Sequence, residues 1–185
     1  MSRLVLASRS PQRRAILDQI GIAYVVEVPD VEELQTGPPH EVALENAFRK
    51  ASAVAGRTGG ALVLGVDTLV TLGARVYGKP AGEDEARTML SALAGRRHTV
   101  VSGVCLIEDG RPRTAAASTV VEFRSLDEAL IGWYLASGEW RERAGGYAIQ
   151  GRGAALVAGI EGDFLNVVGL PLTTLLELAP RLLSG

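Results

Sequence analysis

The 185-residue sequence has one cysteine, two histidines, two lysines and only 5 % aromatic residues. A single cysteine excludes a disulfide within the chain. Cys105 lies in the apolar run Val104-Cys-Leu-Ile107 and reads as a buried small hydrophobe rather than a nucleophile. His40 and His98 share no metal-ligand spacing and read as structural or surface residues. No apolar stretch reaches the roughly 20 residues that span a bilayer, and the run near the start is too short for a signal peptide. The expected location is the cytoplasm, with no membrane partner. A net charge of −2, without interleaved basic and aromatic residues, argues against a nucleic-acid partner.

What is present is ordinary for a globular chain: 47 % hydrophobic and 22 % charged residues. The length suits one domain or two small lobes sharing a core. Arg3–Ala7 reads as a buried strand. Ser10-Pro11 then opens a helix, with serine as N-cap and proline at the first helical position. Ala23–Val28 reads as a strand and Asp30–Pro39 as an acidic loop. Glu41–Gly56 carries Val42, Leu44, Ala47, Phe48, Ala51 and Val54 at helical spacing. Ala61–Val66 reads as a strand ending on Asp67, followed by two extended arms about Gly73-Ala74. Glu83–Leu93 and Leu126–Ser137 read as helices. Between them, His98–Glu108 and Arg113–Arg124 flank Asp109-Gly110, a favoured hairpin turn pair. Gly145–Gly153 is a glycine-rich loop, Ala154–Ile160 a strand and Pro171–Leu183 a terminal helix. Interleaved strands and helices around a long hairpin predict a mixed-sheet α/β or α+β fold rather than a purely doubly wound one.

Four features carry chemistry. With Ser10 as N-cap, Arg13 and Arg14 fall at the third and fourth helical positions, where the helix dipole prefers acids. At an exposed site arginine there costs about 0.3–1 kcal/mol, and a bound anion would reverse that cost. Free N–H groups, serine hydroxyls and guanidinium forks all suit phosphate. Asp67, after a buried run, could hold magnesium or accept a proton from an attacking water. The acidic cluster Asp30, Glu32 and Glu33 offers metal-binding oxygens or simply a solvated loop. Lys50 and Lys79 are the only lysines against seventeen arginines, which hints at a use for a compact point charge.

Around Lys79, GARVYGKP matches G-x-x-x-x-G-K but has Pro80 where a P-loop needs Ser or Thr for magnesium. No helix follows directly, so the glycines read as those of a hairpin. Lys79 can still serve as a lone cation.

Together, Leu6-Ala-Ser-Arg-Ser-Pro-Gln-Arg-Arg14, Gly65-Val-Asp-Thr68, Gly78-Lys-Pro80, Ala144-Gly-Gly-Tyr-Ala-Ile-Gln-Gly151 and Gly162–Leu172 resemble the motifs of the Maf family of nucleotide pyrophosphatases, in order and over nearly the whole chain. The resemblance implies a single domain over 1–185, with an elongated, two-lobed mixed α/β fold similar to the inosine triphosphatases and a central cleft. It also implies a homodimer and cleavage of nucleoside triphosphates to monophosphate and pyrophosphate with a divalent metal, Mg2+ first, Mn2+ or Co2+ as alternatives. By matching positions, Asp67 and Lys79 would be catalytic, and Ser8, Ser10, Arg13 and Lys50 would hold the substrate. Glu33 and Asp67 would hold the metal. Gln12, Thr68 and Gln150 stand where the family separates a dTTP/UTP branch (Arg, Thr, Gln) from a 7-methyl-GTP branch (Trp, Gln, Glu). Thr68 and Gln150 match the first branch; Gln12 matches neither. The expected activity is therefore on dTTP and UTP, with CTP or modified pyrimidine nucleotides open. Alternatives are a modified purine triphosphate or a non-catalytic nucleotide-binding regulator of cell division.

Overall fold

The computed structural model describes residues 3–183. The elements follow in the order β1 (Leu4–Ala7), α1 (Pro11–Gln19), β2 (Tyr24–Val26), α2 (Pro39–Ala55), β3 (Leu62–Leu72), β4 (Arg75–Tyr77), α3 (Glu83–Leu93), β5 (Arg97–Glu108), β6 (Arg111–Phe123), α4 (Glu128–Leu135), β7 (Val157–Glu161), α5 (Phe164–Val168) and α6 (Leu172–Leu178). The described strands form one seven-stranded sheet in the order β2-β1-β3-β5-β6-β7, with β4 also on β3. β1 pairs in parallel with β2 and β3, whereas β4 on β3 and β7 on β6 are antiparallel. The sheet is mixed, as the interleaved pattern predicts.

The chain divides into two compact units. The first holds the described residues up to Thr68, Ser102–Ala117 and the described residues from Gly169; the second holds Leu69–Val101 and Ser118–Val168. The first holds a cluster of mostly small residues, Val5, Ala7, Ala47, Ala51, Val54, Val63, Cys105 and Ile107, besides buried leucines such as Leu6, Leu17 and Leu64. Cys105 is fully buried there, and burial pushes its thiol up to about 12, so it packs as a hydrophobe. The second unit is built on larger side chains, among them Phe123, Tyr134, Trp140 and Tyr147.

Local chemistry sets many boundaries. Ser10 caps α1, accepting from the Arg13 N–H, with Pro11 as the first helical residue. Asp109 and Gly110 both have positive φ, 48° and 73°, as a tight hairpin between β5 and β6 requires. Asp127 caps α4 through the Leu130 N–H.

Several expectations are corrected. β3 does not end at Asp67: Thr68, Leu69, Val70, Thr71 and Leu72 continue it, and Val70–Leu72 pair with β4. What ends near Asp67 is the parallel ladder with β1, whose last pair is Ala7 with Gly65. On α2, Val42, Ala47, Ala51 and Val54 are buried as their spacing predicts, but Phe48 is 37 % exposed, and the polar residues Asn46 and Lys50 are buried. Residues 152–156 form a 3-10 turn, and β7 begins only at Val157. The terminal helix is broken into α6 and a 3-10 turn over Pro180–Leu183. Proline disfavours a helical residue before it, and Ala179 leaves the helix at φ −144°. The short α5 went unread because its five residues are too few to show a period. No helix among the described residues is long and apolar enough to cross a membrane.

Candidate active site

The site grows from a close approach in the first unit. Gly65 on β3 and Gly103 on β5 lie against α2. A Cβ on Gly65 would fall 2.2 Å from the Ala47 carbonyl oxygen, and one on Gly103 would fall 2.2 Å from that of Ala43. Alanines at 43, 47 and 51 complete the fit, since each is fully buried and one helical turn from the next. With so little side chain between helix and sheet, the polar residues on the same flank of α2 reach Asp67 directly.

Asp67 is 5 % exposed and both its oxygens are engaged. Oδ1 accepts from Lys50 Nζ at 2.6 Å, and Oδ2 accepts from Asn46 Nδ2 at 3.0 Å. Lys50 also reaches Glu33 Oε1 at 2.8 Å. One buried ammonium thus joins the two carboxylates singled out as metal ligands, with one of its three N–H donors uncommitted among the described residues. Of the acidic cluster, Asp30 and Glu32 are exposed, and Glu33 alone turns toward the site. Asn46 belongs to no motif. Its signal is a polar residue one turn before a buried lysine, on the flank of an alanine stripe.

The β1–α1 turn supplies the second half. Arg13 is 9 % exposed, and its guanidinium donates to Gly169 O (2.8 Å), Ser8 Oγ (2.9 Å) and Thr68 Oγ1 (3.2 Å). Three of its five N–H donors are used among the described residues. The cost expected for an exposed arginine at a helix start does not apply to Arg13. Burial lowers its pKa, and the nearby charges of Asp67 and Glu33 oppose that shift. Arg14, the next residue, is exposed. Ser8 Oγ accepts from both Arg13 and the Ser10 N–H (3.2 Å), so its proton is left to donate. The Ser10 hydroxyl donates to Gln12 Oε1 at 2.9 Å. Thr68 Oγ1 lies 3.0 Å from Ser102 Oγ, and Ser102 is fully buried.

Ser8, Ser10, Gln12, Arg13, Glu33, Lys50, Asp67 and Thr68 therefore all belong to the first unit, joined by hydrogen bonds and ion pairs into two patches that adjoin where Thr68 follows Asp67 in the chain. Arg13 and Lys50 balance Asp67 and Glu33, so the formal charge there is near zero. Lys79 and Gln150 belong to the second unit. Lys79 is exposed and lies 3.5 Å from Glu142. The two late motifs meet within that unit, where the Gly145 N–H donates to Gly78 O at 3.0 Å. Gln150 is exposed at the end of the same loop. Tyr147 of this loop is buried, bonded to His98 Nε2 at 2.8 Å, and Tyr134 Oη accepts from the Ala148 N–H at 3.0 Å. His98 is thus structural, as its lack of ligand spacing suggests. Gly73 turns the β3–β4 hairpin and no helix starts between it and Glu83, so GARVYGKP is not a P-loop.

Comparison with known proteins agrees with this arrangement of motifs. A family model described as Maf-like protein matches residues 3–182. A dTTP/UTP pyrophosphatase of Symbiobacterium thermophilum is 48 % identical over 174 residues, 93 % of this chain and 90 % of that protein. One from Gloeobacter violaceus is 46 % identical, covering 95 % and 94 % of the two chains. Another from Pyrococcus furiosus is 42 % identical, covering 96 % and 94 %. With its motifs in register and the family model matched from residue 3 to residue 182, this chain belongs to the Maf family.

Proposed function

We propose that this chain hydrolyses nucleoside triphosphates, dTTP and UTP foremost, to the monophosphate and pyrophosphate. The observation that carries the proposal is the buried pairing of Asp67 with Lys50 and Asn46, next to the Arg13–Ser8–Thr68 cluster. Relatives over nearly the full length that are named dTTP/UTP pyrophosphatase support the choice of substrate.

In this scheme Asp67 accepts the proton of a water that attacks the α-phosphorus. A new P–O bond forms, the bridging α–β P–O bond breaks, and its electron pair leaves with pyrophosphate. Lys50 and Arg13 offset the charge that grows on the leaving group, using N–H donors not already committed. The Ser8 hydroxyl donates to a phosphate oxygen. Lys79 is assigned to the phosphates and Gln150 to the base by motif resemblance alone.

The donor set suits a magnesium ion, which binds through one or two carboxylates plus substrate phosphates rather than an all-protein cage. Glu33 and Asp67 are two such carboxylates, and no group of three or more candidate ligands occurs among the described residues. When bound, such an ion would lower the pKa of the attacking water and screen the phosphates.

Pyrophosphate release over a panel of dTTP, UTP, CTP, GTP and 7-methyl-GTP, with Mg2+ or with a chelator, tests the proposal. The expected result is turnover of dTTP and UTP at least about tenfold above the others, abolished by the chelator. Preference for 7-methyl-GTP would move the chain to the other branch. Tight binding of every nucleotide without release would favour a regulator instead.

A further inference from the structure

Asn46 and Lys50 lie one turn apart on α2 and make parallel bridges. Each holds one oxygen of Asp67, and each also holds the acidic segment that precedes α2. Lys50 reaches the Glu33 carboxylate at 2.8 Å. Asn46 takes both backbone groups of Leu34: its Oδ1 accepts from the Leu34 N–H at 2.7 Å, and its Nδ2 donates to the Leu34 carbonyl at 3.1 Å. The amide orientation follows from this, because an N–H can only donate and a carbonyl can only accept. Asn46 is 1 % exposed and all its good donors and acceptors are used.

The two bridges differ in what can compete for them. The ammonium of Lys50 is a point charge with rotatable donors, and its partner Glu33 has a side chain 38 % exposed to water. An arriving phosphate offers Lys50 a substitute anion. It offers no substitute for the pair of backbone bonds that Asn46 makes to Leu34. We propose that Asn46 is a positioning residue that keeps the Glu33–Leu34 segment docked and Asp67 oriented while Lys50 exchanges a carboxylate for a phosphate. The exchange by Lys50 rests on the triphosphate activity proposed above; the clamp by Asn46 does not.

Amide hydrogen exchange at Leu34 separates the two bridges, read by NMR on the full chain without substrate and with added pyrophosphate and Mg2+. In the unmodified protein and in Lys50→Met the Leu34 N–H should stay protected, and added pyrophosphate should leave that protection unchanged. In Asn46→Ala it should exchange about tenfold faster or more, because local opening then breaks fewer bonds, while the amides of Val5 and Leu64 keep their protection. In the same variant kcat should fall about tenfold with KM within about threefold. Loss of Leu34 protection in Lys50→Met, or unchanged protection in Asn46→Ala, would overturn the proposal. If Asn46→Ala does not fold, the Lys50→Met and pyrophosphate arms still decide. Exchange is blind to turnover, so an inactive protein with a protected Leu34 would refute the activity and leave the clamp standing.

Discussion

In the first unit Arg13, Lys50 and Asp67 are buried as charges, each within hydrogen-bond reach of a partner. In the second, His98, Tyr134 and Tyr147 are buried as rings whose polar tips meet one another or a backbone N–H. Burial acts on Arg13 and on these rings in the same direction, disfavouring the charged form. It pushes His98 down to about 4 and Tyr134 up to about 12, and it raises Tyr147. Those groups stay neutral at pH 7 and act as packing. Arg13 feels the same desolvation, but Asp67 and Glu33 pull its pKa back, and the charge survives. The contrast separates a polar cluster that can do chemistry from one that holds a loop in place: only the first keeps ions in low dielectric, where their pull on a substrate is strong.

The largest expected break in this comparison is Asp67→Asn. It removes the proposed base while preserving shape, and pyrophosphate release should fall about a thousandfold with an unchanged far-UV spectrum. An unaffected rate would take Asp67 out of the chemistry.

Phe123→Ala strikes the other unit. Phe123 packs edge-on against both His98 and Tyr147 with centroids 4.8 Å from each. Its loss should cost about 3–5 kcal/mol in urea unfolding, while turnover per folded molecule changes less than tenfold. A thousandfold loss of turnover at full stability would erase the distinction between the units.

His98 provides a pH test. Its ordinary value is 6.5 and burial holds it at about 4, so between these values the unfolded chain binds a proton that the folded chain refuses. Its contribution is complete above pH ~6.5 and is lost as pH falls through 4, a span of about 3 kcal/mol. Urea midpoints measured from pH 7 to pH 4 should fall in the parent protein and fall less steeply in His98→Gln. Equal slopes would mean that His98 does not resist protonation.

The smallest effect is expected from Lys79→Ala. Lys79 is exposed, and its contact with Glu142 is a surface pair worth little to stability. The fold should be untouched and turnover about tenfold lower. A wild-type rate would confine the phosphate contacts to the first unit.

Much of this molecule is legible from short stretches. The Ser10-Pro11 helix start, the Asp109-Gly110 turn and the burial of Cys105 follow from the residues themselves, since each depends on neighbours a few positions away. The failures share a cause as well. Phe48 looked inward and Asn46 did not, because hydrophobicity ranks phenylalanine above asparagine, whereas the fold needs the amide beside Asp67. Asp67 looked like a strand end because glycine and an acid usually interrupt strands. Here Gly65 is the residue that lets α2 approach, and β3 continues through the acid to meet β4. Ser102 carried no signal at all: a serine in an apolar strand is common, and its value lies in facing Thr68 across the sheet.

By itself the sequence determined most of the element types, the near-neutral balance of charge, the absence of an internal disulfide and the five motifs whose order marks the family. Each is local in the chain or a matter of composition. Only the tertiary structure decided that Arg13 is bonded to Gly169 at the far end of the sequence, that Lys50 and Asn46 grip the two oxygens of Asp67, and that Arg13 points in while Arg14 points out. The physical reason is that these roles are set by desolvation and by partners brought together through packing. A residue's own identity does not reveal how much water it will lose or which distant group will replace that water.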